Sequence, residues 1–193
     1  MEKKKISIIQ VAQELFSQFG FFKTTVNEIA KGARMGKATV YHYFRGKEEV
    51  FREVVEKEDQ LLNEKIIESV EKEETPQEKL RALVLARITY LNQLKNIYAA
   101  LKDDFVKNYD FIQKIRERDF QREMNMVKKI LHSGIKQEIF NIDNLESTSF
   151  VIVSALKGLE HPWSVKVPFP DIERNLDELV ELLFFGIVKR ELK

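Results

Sequence analysis

Residues 24 to 44, TTVNEIAKGARMGKATVYHYF, contain two short helical patterns separated by a four-residue break, and this stretch constrains the fold most strongly. Thr25 and Glu28 have the spacing of a capping box, which predicts that a helix begins near residue 26. The apolar residues of that helix form one narrow stripe of mostly small side chains, namely Val26, Ile29, Ala30 and Ala33. Because small side chains let a second helix cross closely, the stretch predicts a helix-turn-helix motif.

The second helix begins near Lys37 and places Val40 and Phe44 four residues apart, toward a core. Its other side chains carry an amine, hydroxyls, aromatic rings and an imidazole, which suit phosphate and major-groove contacts. Lys47 follows at the start of another helix, where its cation and the helix N–H groups can hold a phosphate. The predicted DNA-binding residues are Thr25, Lys37, Thr39, Tyr41, His42, Tyr43 and Lys47. The alternative is a solvated basic helix with a few core anchors.

Residues 8 to 51 resemble the DNA-binding domain of the TetR family of transcriptional regulators. The matching residues are Ala12, Leu15, Phe16, Gly20 and Phe21, TTVNEIA at 24 to 30, Thr39, Tyr41, Tyr43, Phe44, and KEEVF at 47 to 51. The resemblance implies a repressor that binds a palindromic operator as a homodimer and is released by a small hydrophobic effector. It also implies an N-terminal reader, residues 1 to 46, and a helical effector-binding and dimerisation domain, residues 47 to 193.

The turn departs from the family pattern at three positions. Arg34 stands where the family usually has Gly, Gly36 stands where it usually has a Ser or Thr cap, and Ala38 replaces a frequent Gly. Gly36 can still cap a helix weakly. We expect Arg34 to adopt whatever backbone the turn demands, with a positive φ among the options.

Charge is divided unevenly along the chain. Residues 1 to 47 hold nine Lys and Arg against three acidic residues, whereas the remainder holds 23 against 28. Positive charge is therefore concentrated around the predicted reader helix, as binding to a phosphate backbone requires. The absence of Cys excludes disulfides and Cys-based metal sites, and no segment approaches the length of an apolar membrane span. With no signal-peptide pattern at the N-terminus, we expect a cytoplasmic protein that does not bind a membrane.

Helical periodicity continues through the rest of the chain. It predicts an all-α fold of about nine helices: a three-helix helix-turn-helix domain followed by a larger helical domain. The other helices are expected over residues 4–19, 47–71, 76–95, 97–107, 110–133, about 144–160 and 171–189. Thr75 with Glu78, and Asp143 with Glu146, have capping-box spacing, while Gly20 and Gly134 are expected to end helices.

The last two predicted helices are apolar over more than half of their circumference, which is more than one core face needs. We therefore expect part of this surface to form a subunit interface, with candidates Phe150, Ala155, Gly158, Leu159, Leu179, Leu183, Phe184 and Ile187. The family resemblance implies a four-helix interface made by this pair from two chains. The alternative is that both helices lie at the centre of the monomer core.

The resemblance also implies an effector pocket in the C-terminal domain. Candidates to line it are Arg87, Tyr90, Tyr98, Phe105, Tyr109, Phe120, Met124, Phe150 and Trp163. Aromatic and soft side chains with a few polar groups suit an apolar ligand, although an ordinary helical core explains most of them equally well.

Catalytic and metal-binding motifs are not found in the sequence, so we expect no enzyme activity, no metal and no cofactor. His42, His132 and His161 are far apart in the sequence and belong to no recognised motif. Two other functions remain possible from the sequence: a helical protein-interaction module without specific DNA binding, and a small-molecule carrier or enzyme on an α-bundle.

Overall fold

The computed structural model describes residues 2–102, 109–160, 178 and 180–182, except for the side chains of residues 92, 98, 100–102, 159 and 160. Within these ranges the chain forms eight helices and no strand, which confirms the predicted all-α class. They are α1 (Glu2–Phe19), α2 (Val26–Gly32), α3 (Lys37–Tyr43), α4 (Lys47–Glu71), α5 (Pro76–Gln93), α6 (Lys95–Lys102), α7 (Asp110–Lys136) and α8 (Leu145–Glu160). Residues 178 and 180–182 are also helical. The rest of the helix predicted over 171–189 lies outside the described residues.

The chain divides into two compact units that are discontinuous in sequence. Unit 1 comprises Met1–Asn63 and Leu91–Arg116, and unit 2 comprises Glu64–Tyr90 and Glu117–Lys193. Helices α4, α5 and α7 each contribute residues to both units. The functional boundary expected between residues 46 and 47 stays a prediction, because compactness alone does not assign a function to a segment.

Unit 1 contains the apolar core that supports the first three helices. Phe16 on α1, Phe51 on α4 and Phe21 in the loop after α1 are all buried. Their ring centroids lie 5.1 Å (Phe16 to Phe51) and 4.8 Å (Phe21 to Phe51) apart. Burying one such side chain contributes roughly 2–3 kcal/mol, and the ring contacts add to it. Gly20 ends α1 with φ +82°, as predicted for a C-cap, and its N–H donates to the Phe16 carbonyl oxygen at 2.9 Å.

The end of α7 differs from its prediction. The helix continues through Gly134 to Lys136, and the Phe140 ring packs where a Cβ at Gly134 would stand. The backbone N–H groups of Ile139 and Phe140 both donate to the Gly134 carbonyl oxygen, at 2.8 and 3.2 Å. Gly134 is therefore a contact point for the following loop and not the residue that ends the helix.

One of the two predicted capping boxes outside the reader is present, and the other is wrong. The Glu78 carboxylate accepts from the Thr75 N–H at 3.2 Å, and the Thr75 hydroxyl oxygen accepts from the Glu78 N–H at 3.2 Å. At α8, however, Asn144 is the cap, since its side-chain oxygen accepts from the N–H of Ser147 at 2.9 Å. The Glu146 carboxylate instead pairs with Lys128 at 2.5 Å.

Helix α6 begins at Lys95, two residues before its predicted start, and is described to Lys102. The rest of its predicted length, residues 103–107, lies outside the described residues. Residue 94, which precedes the helix, is a leucine and offers no side-chain acceptor for the first N–H groups.

Candidate functional site

The predicted capping box at the start of α2 is confirmed. The Glu28 Oε2 atom accepts from the Thr25 backbone N–H and from the Thr25 hydroxyl, both at 2.8 Å, and the Thr25 hydroxyl oxygen accepts from the Glu28 N–H at 3.3 Å. The hydrogen bonds from the Thr25 side chain and backbone lower the pKa of Glu28. Thr25 is exposed, so the cap fixes an accessible hydroxyl at the N-terminus of the helix.

The turn between α2 and α3 is a Schellman motif with an arginine at its left-handed position. The Met35 N–H donates to the Ala30 carbonyl oxygen at 2.9 Å, and the Arg34 N–H donates to the Lys31 carbonyl oxygen at 3.1 Å. Arg34 has φ +54°, so of the backbone conformations left open for this position the turn requires the positive φ. A non-glycine residue in this region costs roughly 1–2 kcal/mol, so the turn is maintained against a backbone preference.

Gly36 precedes α3 in an extended conformation and makes no side-chain cap, as expected from its lack of a side chain. The core side of α3 is formed by Val40, 1% exposed, and Phe44 directly after the helix, 2% exposed. Both side chains point into unit 1, which confirms the predicted core anchors. The helix thereby has a fixed rotation about its own axis.

The opposite side of α3 is accessible. Lys37, Tyr41 and His42 are exposed, while Thr39 and Tyr43 are half-buried. The Lys37 ammonium lies 5.8 Å from the centroid of the Tyr41 ring, and the His42 and Tyr43 rings are 5.0 Å apart. We call this exposed surface of Lys37, Tyr41 and His42 the reader face. It combines a cation, a phenol and an imidazole on a helix that is anchored from behind.

Lys47 has a structural role that sequence reasoning missed. Its Nζ donates to the carbonyl oxygen of Phe21 at 2.8 Å and reaches that of Phe22 at 3.5 Å, in the loop between α1 and α2. The same ammonium lies 4.4 Å from the Phe21 ring centroid. A phosphate contact by Lys47 stays a prediction, and any such contact shares an ammonium that already binds this loop.

Arg87, a candidate pocket residue, belongs to a network of buried charges in unit 2. The guanidinium is fully buried, lies 3.1 Å from Asp119 Oδ2 and pairs with Glu123. The Lys157 ammonium pairs with the same two carboxylates, at 3.4 Å from Glu123 Oε2. Burial alone would raise the pKa of Asp119, but Arg87 and Lys157 outweigh it and lower that pKa to about 2. The network joins α5, α7 and α8.

The sequence contained a partial signal for this network. Asp119 and Glu123 are four residues apart and therefore share one face of α7, and Arg87 interrupts an apolar stripe on α5. A buried arginine requires acidic partners, but their positions 32 and 36 residues further along the chain could not be read from local spacing.

The other described pocket candidates are divided between the two units. Phe120 and Phe150 lie in contact, with ring centroids 5.8 Å apart, in unit 2. Met124 is buried and Tyr90 is half-buried. Tyr109 instead belongs to unit 1, where its ring lies 6.2 Å from Phe21. The side chains of Tyr98, Phe105 and Trp163 lie outside the described residues, and the pocket stays a prediction.

Helix α8 has one apolar face that is exposed in the single chain. Phe150 is 53% exposed, and Ala155 and Gly158 are exposed on the following turns. A Cβ added at Gly158 would meet no described atom within 4 Å. Ile152, Val153 and Leu156 fill the opposite, buried face. The remaining interface candidates, the Leu159 side chain, Leu179, Leu183, Phe184 and Ile187, lie outside the described residues.

Among the residues that the structure describes, no group of three or more His, Cys, Asp or Glu side chains has an arrangement that could hold a metal ion. None of the helices in the described ranges is long and apolar enough to cross a membrane.

Comparison with known proteins links both parts of the chain to one group of proteins. Residues 8–54 match the family described as bacterial regulatory proteins, tetR family, and residues 58–188 match the C-terminal region of QacR-like proteins. The HTH-type transcriptional regulator YhgD of Bacillus subtilis is 28% identical over 186 residues, which cover 94% of each chain.

Two solved structures show the same fold at lower identity. The transcriptional regulator FadR from Bacillus subtilis, in complex with stearoyl-CoA, superposes with a TM-score of 0.73 at 20% identity, covering 95% of this chain and 99% of that one. AibR, in complex with isovaleryl coenzyme A and operator DNA, gives a TM-score of 0.66 at 20% identity, covering 94% and 98%.

Proposed function

Because the chain belongs to the tetR family of bacterial regulatory proteins, we propose that it represses transcription by binding a palindromic operator as a homodimer, and that an acyl thioester releases it. The observation that carries this proposal is the reader face of α3, anchored from behind by Val40 and Phe44 and flanked by the capped start of α2. Residues 1–46 would read DNA, and residues 47–193 would dimerise and bind the effector.

The reader face has the chemistry that base and phosphate recognition needs. Lys37 supplies a charge for a phosphate or a guanine edge, while Tyr41 and His42 supply ring contacts and hydrogen bonds. Thr39 and Tyr43, together with Thr25 at the start of α2, would contact the phosphate backbone of the DNA. The excess of positive charge within residues 1–47 supports attraction to DNA by release of counterions.

Dimerisation explains how so small a reader gains affinity. Two motifs related by a two-fold axis bind half-sites about one helical turn, ~34 Å, or a multiple of it apart. The exposed apolar face of α8, formed by Phe150, Ala155 and Gly158, supports a partner helix at this position. Its small residues permit close approach between helices.

An apolar acyl chain is the effector class that the relatives favour. FadR and AibR were each solved with an acyl coenzyme A. The phenyl rings of Phe120 and Phe150 and the thioether of Met124 are suited to contacts with methylene groups. We propose no catalytic step and no cofactor, and we place the protein in the cytoplasm with its operator.

The DNA arm is tested by selecting bound sequences from random duplex DNA with the purified protein at low and at moderate salt. A palindrome with half-sites on one helical repeat supports the proposal. If no sequence is enriched and binding vanishes at moderate salt, the basic end is only an electrostatic patch and a protein-interaction module becomes the better interpretation.

The test of the proposed effector uses the selected operator as a probe. Saturated acyl coenzyme A compounds of increasing chain length are titrated into the protein–operator complex, with free coenzyme A as the matched control. Release by acyl forms and not by coenzyme A supports an acyl effector. Equal release by both, or by neither, would contradict it without affecting the result of the DNA selection.

A further inference from the structure

Helix α6 lacks a cap of its own. It begins at Lys95, and the preceding Leu94 has no side-chain oxygen for the first N–H groups. The missing acceptor comes from α4: Glu58 Oε2 accepts from the backbone N–H of Asn96 at 3.0 Å and from that of Ile97 at 2.9 Å. These are the second and third residues of α6, the positions that an N-cap side chain normally serves.

The same carboxylate also binds α1. Glu58 Oε1 accepts from Gln13 Nε2 at 2.8 Å and from Asn96 Nδ2 at 2.6 Å. Asn96 Nδ2 further donates to the backbone carbonyl oxygen of Gln13 at 3.1 Å. One buried acid therefore joins α1, α4 and α6, and all of these contacts lie within unit 1.

Because Glu58 is buried, the loss of any of these hydrogen bonds is costly. Glu58 and Asn96 are each 2% exposed, so a lost partner cannot be replaced by bulk water. A buried carboxylate is costly unless its lone pairs are filled, and here the four donors come from α1 and from α6. The partial positive charge at the N-terminus of α6 favours the negative charge as well.

From this geometry we infer that Glu58 is a positioning residue for the DNA reader: it caps α6 from α4 and, through Gln13, holds α1 to α6. Helix α2 packs against α1. Gly32 of α2 lies so close to Val11 of α1 that a Cβ at position 32 would be 2.6 Å from the Val11 Cγ1 atom. A fixed α1 therefore fixes the motif above it. Loss of the carboxylate frees the reader without removing any residue of the reader face.

The first measurement is backbone hydrogen exchange of the free protein, in wild type and in Glu58→Gln, with Glu64→Gln as the matched control. Glu64 lies on the same helix but is exposed. We expect exchange in the first turn of α6 and in α1 around Gln13 to rise by about tenfold in Glu58→Gln, since bonds to a charged acceptor are lost in both places. The control should leave both segments unchanged.

The second measurement rests on the proposed function: binding to the selected operator and to versions whose half-site spacing is changed by a base pair. A loosely held reader tolerates altered spacing, so we expect discrimination between the two spacings to fall by about tenfold in Glu58→Gln. Gln13→Ala, which keeps the cap on α6 but removes the α1 side-chain contact, should lower the discrimination as well, and it serves if Glu58→Gln does not fold.

The outcomes separate the inference from the proposed function. If exchange rises only at Asn96 and Ile97 and spacing discrimination is unchanged, Glu58 is a local cap and the inference is overturned. If the wild-type protein selects no operator, the proposed function fails, and the exchange in α1 still decides whether Glu58 holds that helix.

Discussion

The Nζ atom of Lys47, the first residue of α4, donates to the carbonyl oxygen of Phe21 at 2.8 Å and lies 4.4 Å from the centroid of the Phe21 ring. One ammonium thus binds both the backbone and the side chain of a loop residue 26 positions earlier. Because this loop leads to Thr25, the contact connects the start of α4 to the start of α2.

Replacing Lys47 by Ala should therefore weaken the fold as well as DNA binding. We expect the free energy of unfolding to fall by about 1–2 kcal/mol, from the lost charged hydrogen bond and cation–π contact. If Lys47 also touches a phosphate, the slope of log K against log salt should decrease in magnitude by about 0.9.

Urea unfolding and salt titrations separate the two roles of Lys47. Lys23→Ala is the control for unfolding, since Lys23 is an exposed lysine of the same loop. Unchanged unfolding in Lys47→Ala would show that the loop does not depend on this ammonium, and an unchanged salt slope would remove Lys47 from the phosphate contacts.

Tyr41 should contribute to the preference of the protein for its operator sequence. Tyr41 is 48% exposed on the reader face, so removing its ring in Tyr41→Ala should leave stability nearly unchanged but reduce discrimination between the operator and a scrambled half-site by about 1–3 kcal/mol. Tyr41→Phe, which deletes only the hydroxyl, shows how much of the effect is hydrogen bonding. Equal losses on both DNAs would mean that Tyr41 contributes only non-specific affinity.

Arg34→Gly should stabilise the protein. The φ of +54° is unfavourable for arginine, and glycine removes that cost while making the unfolded chain more flexible, so we expect a net gain of about 0.5–1 kcal/mol. A glycine substitution inside a helix, Glu64→Gly, should instead destabilise the protein by about 1 kcal/mol. Chemical denaturation of both variants measures the difference, and a loss of stability in Arg34→Gly would show that its side chain contributes more than the backbone costs.

Asp119 should make the stability depend on acid pH. Its pKa is about 2 in the folded protein against an ordinary 3.8, so its contribution is present above the ordinary value and is lost as the pH falls through about 2. The shift corresponds to about 2 kcal/mol at neutral pH. Asp119→Asn leaves Arg87 and Lys157 with one carboxylate fewer and should cost about 3–5 kcal/mol.

Urea unfolding at a series of pH values from about 5 down to about 2, the range in which carboxyl groups titrate, tests this contribution of Asp119. The stability difference between wild type and Asp119→Asn should shrink as the acid is protonated. Glu68→Gln is the control, because the pKa of Glu68 is also lowered to about 2, by hydrogen bonds from Lys65 and Lys72, but that carboxylate is exposed and should contribute little. A difference that is constant with pH would mean that the Asp119 charge is not what stabilises the network.

Features set by neighbouring residues could be predicted from the sequence. The caps at Thr25 and Thr75, the end of α1 at Gly20 and the positive φ of Arg34 each depend on a few consecutive residues. Their hydrogen bonds form within one turn of chain, so the spacing of residue types is sufficient to indicate them.

Features set by distant residues could not be predicted. The end of α7 was misjudged because the Phe140 ring, not a helix stop, explains Gly134. At α8 the cap is Asn144 and not the predicted Asp143, and Glu146 pairs with Lys128, which lies 18 residues earlier on α7. The partners of Lys47 and Glu58 lie 26 and up to 45 residues away, and the sequence of either residue's own helix does not reveal them.

The capping of α6 by Glu58 of α4 also affects the order in which the parts of the protein can fold. Starting a helix is unfavourable in water, and the residue before α6 offers no side-chain cap, so the first turn of α6 is capped only after α4 is in place. Conversely, a nascent chain that has emerged only to residue 63 offers Glu58 no donors from α6. During synthesis the Glu58 carboxylate therefore gains these backbone donors only once residues 96 and 97 have left the ribosome, 33 and 34 residues after Asn63, which ends the first segment of unit 1.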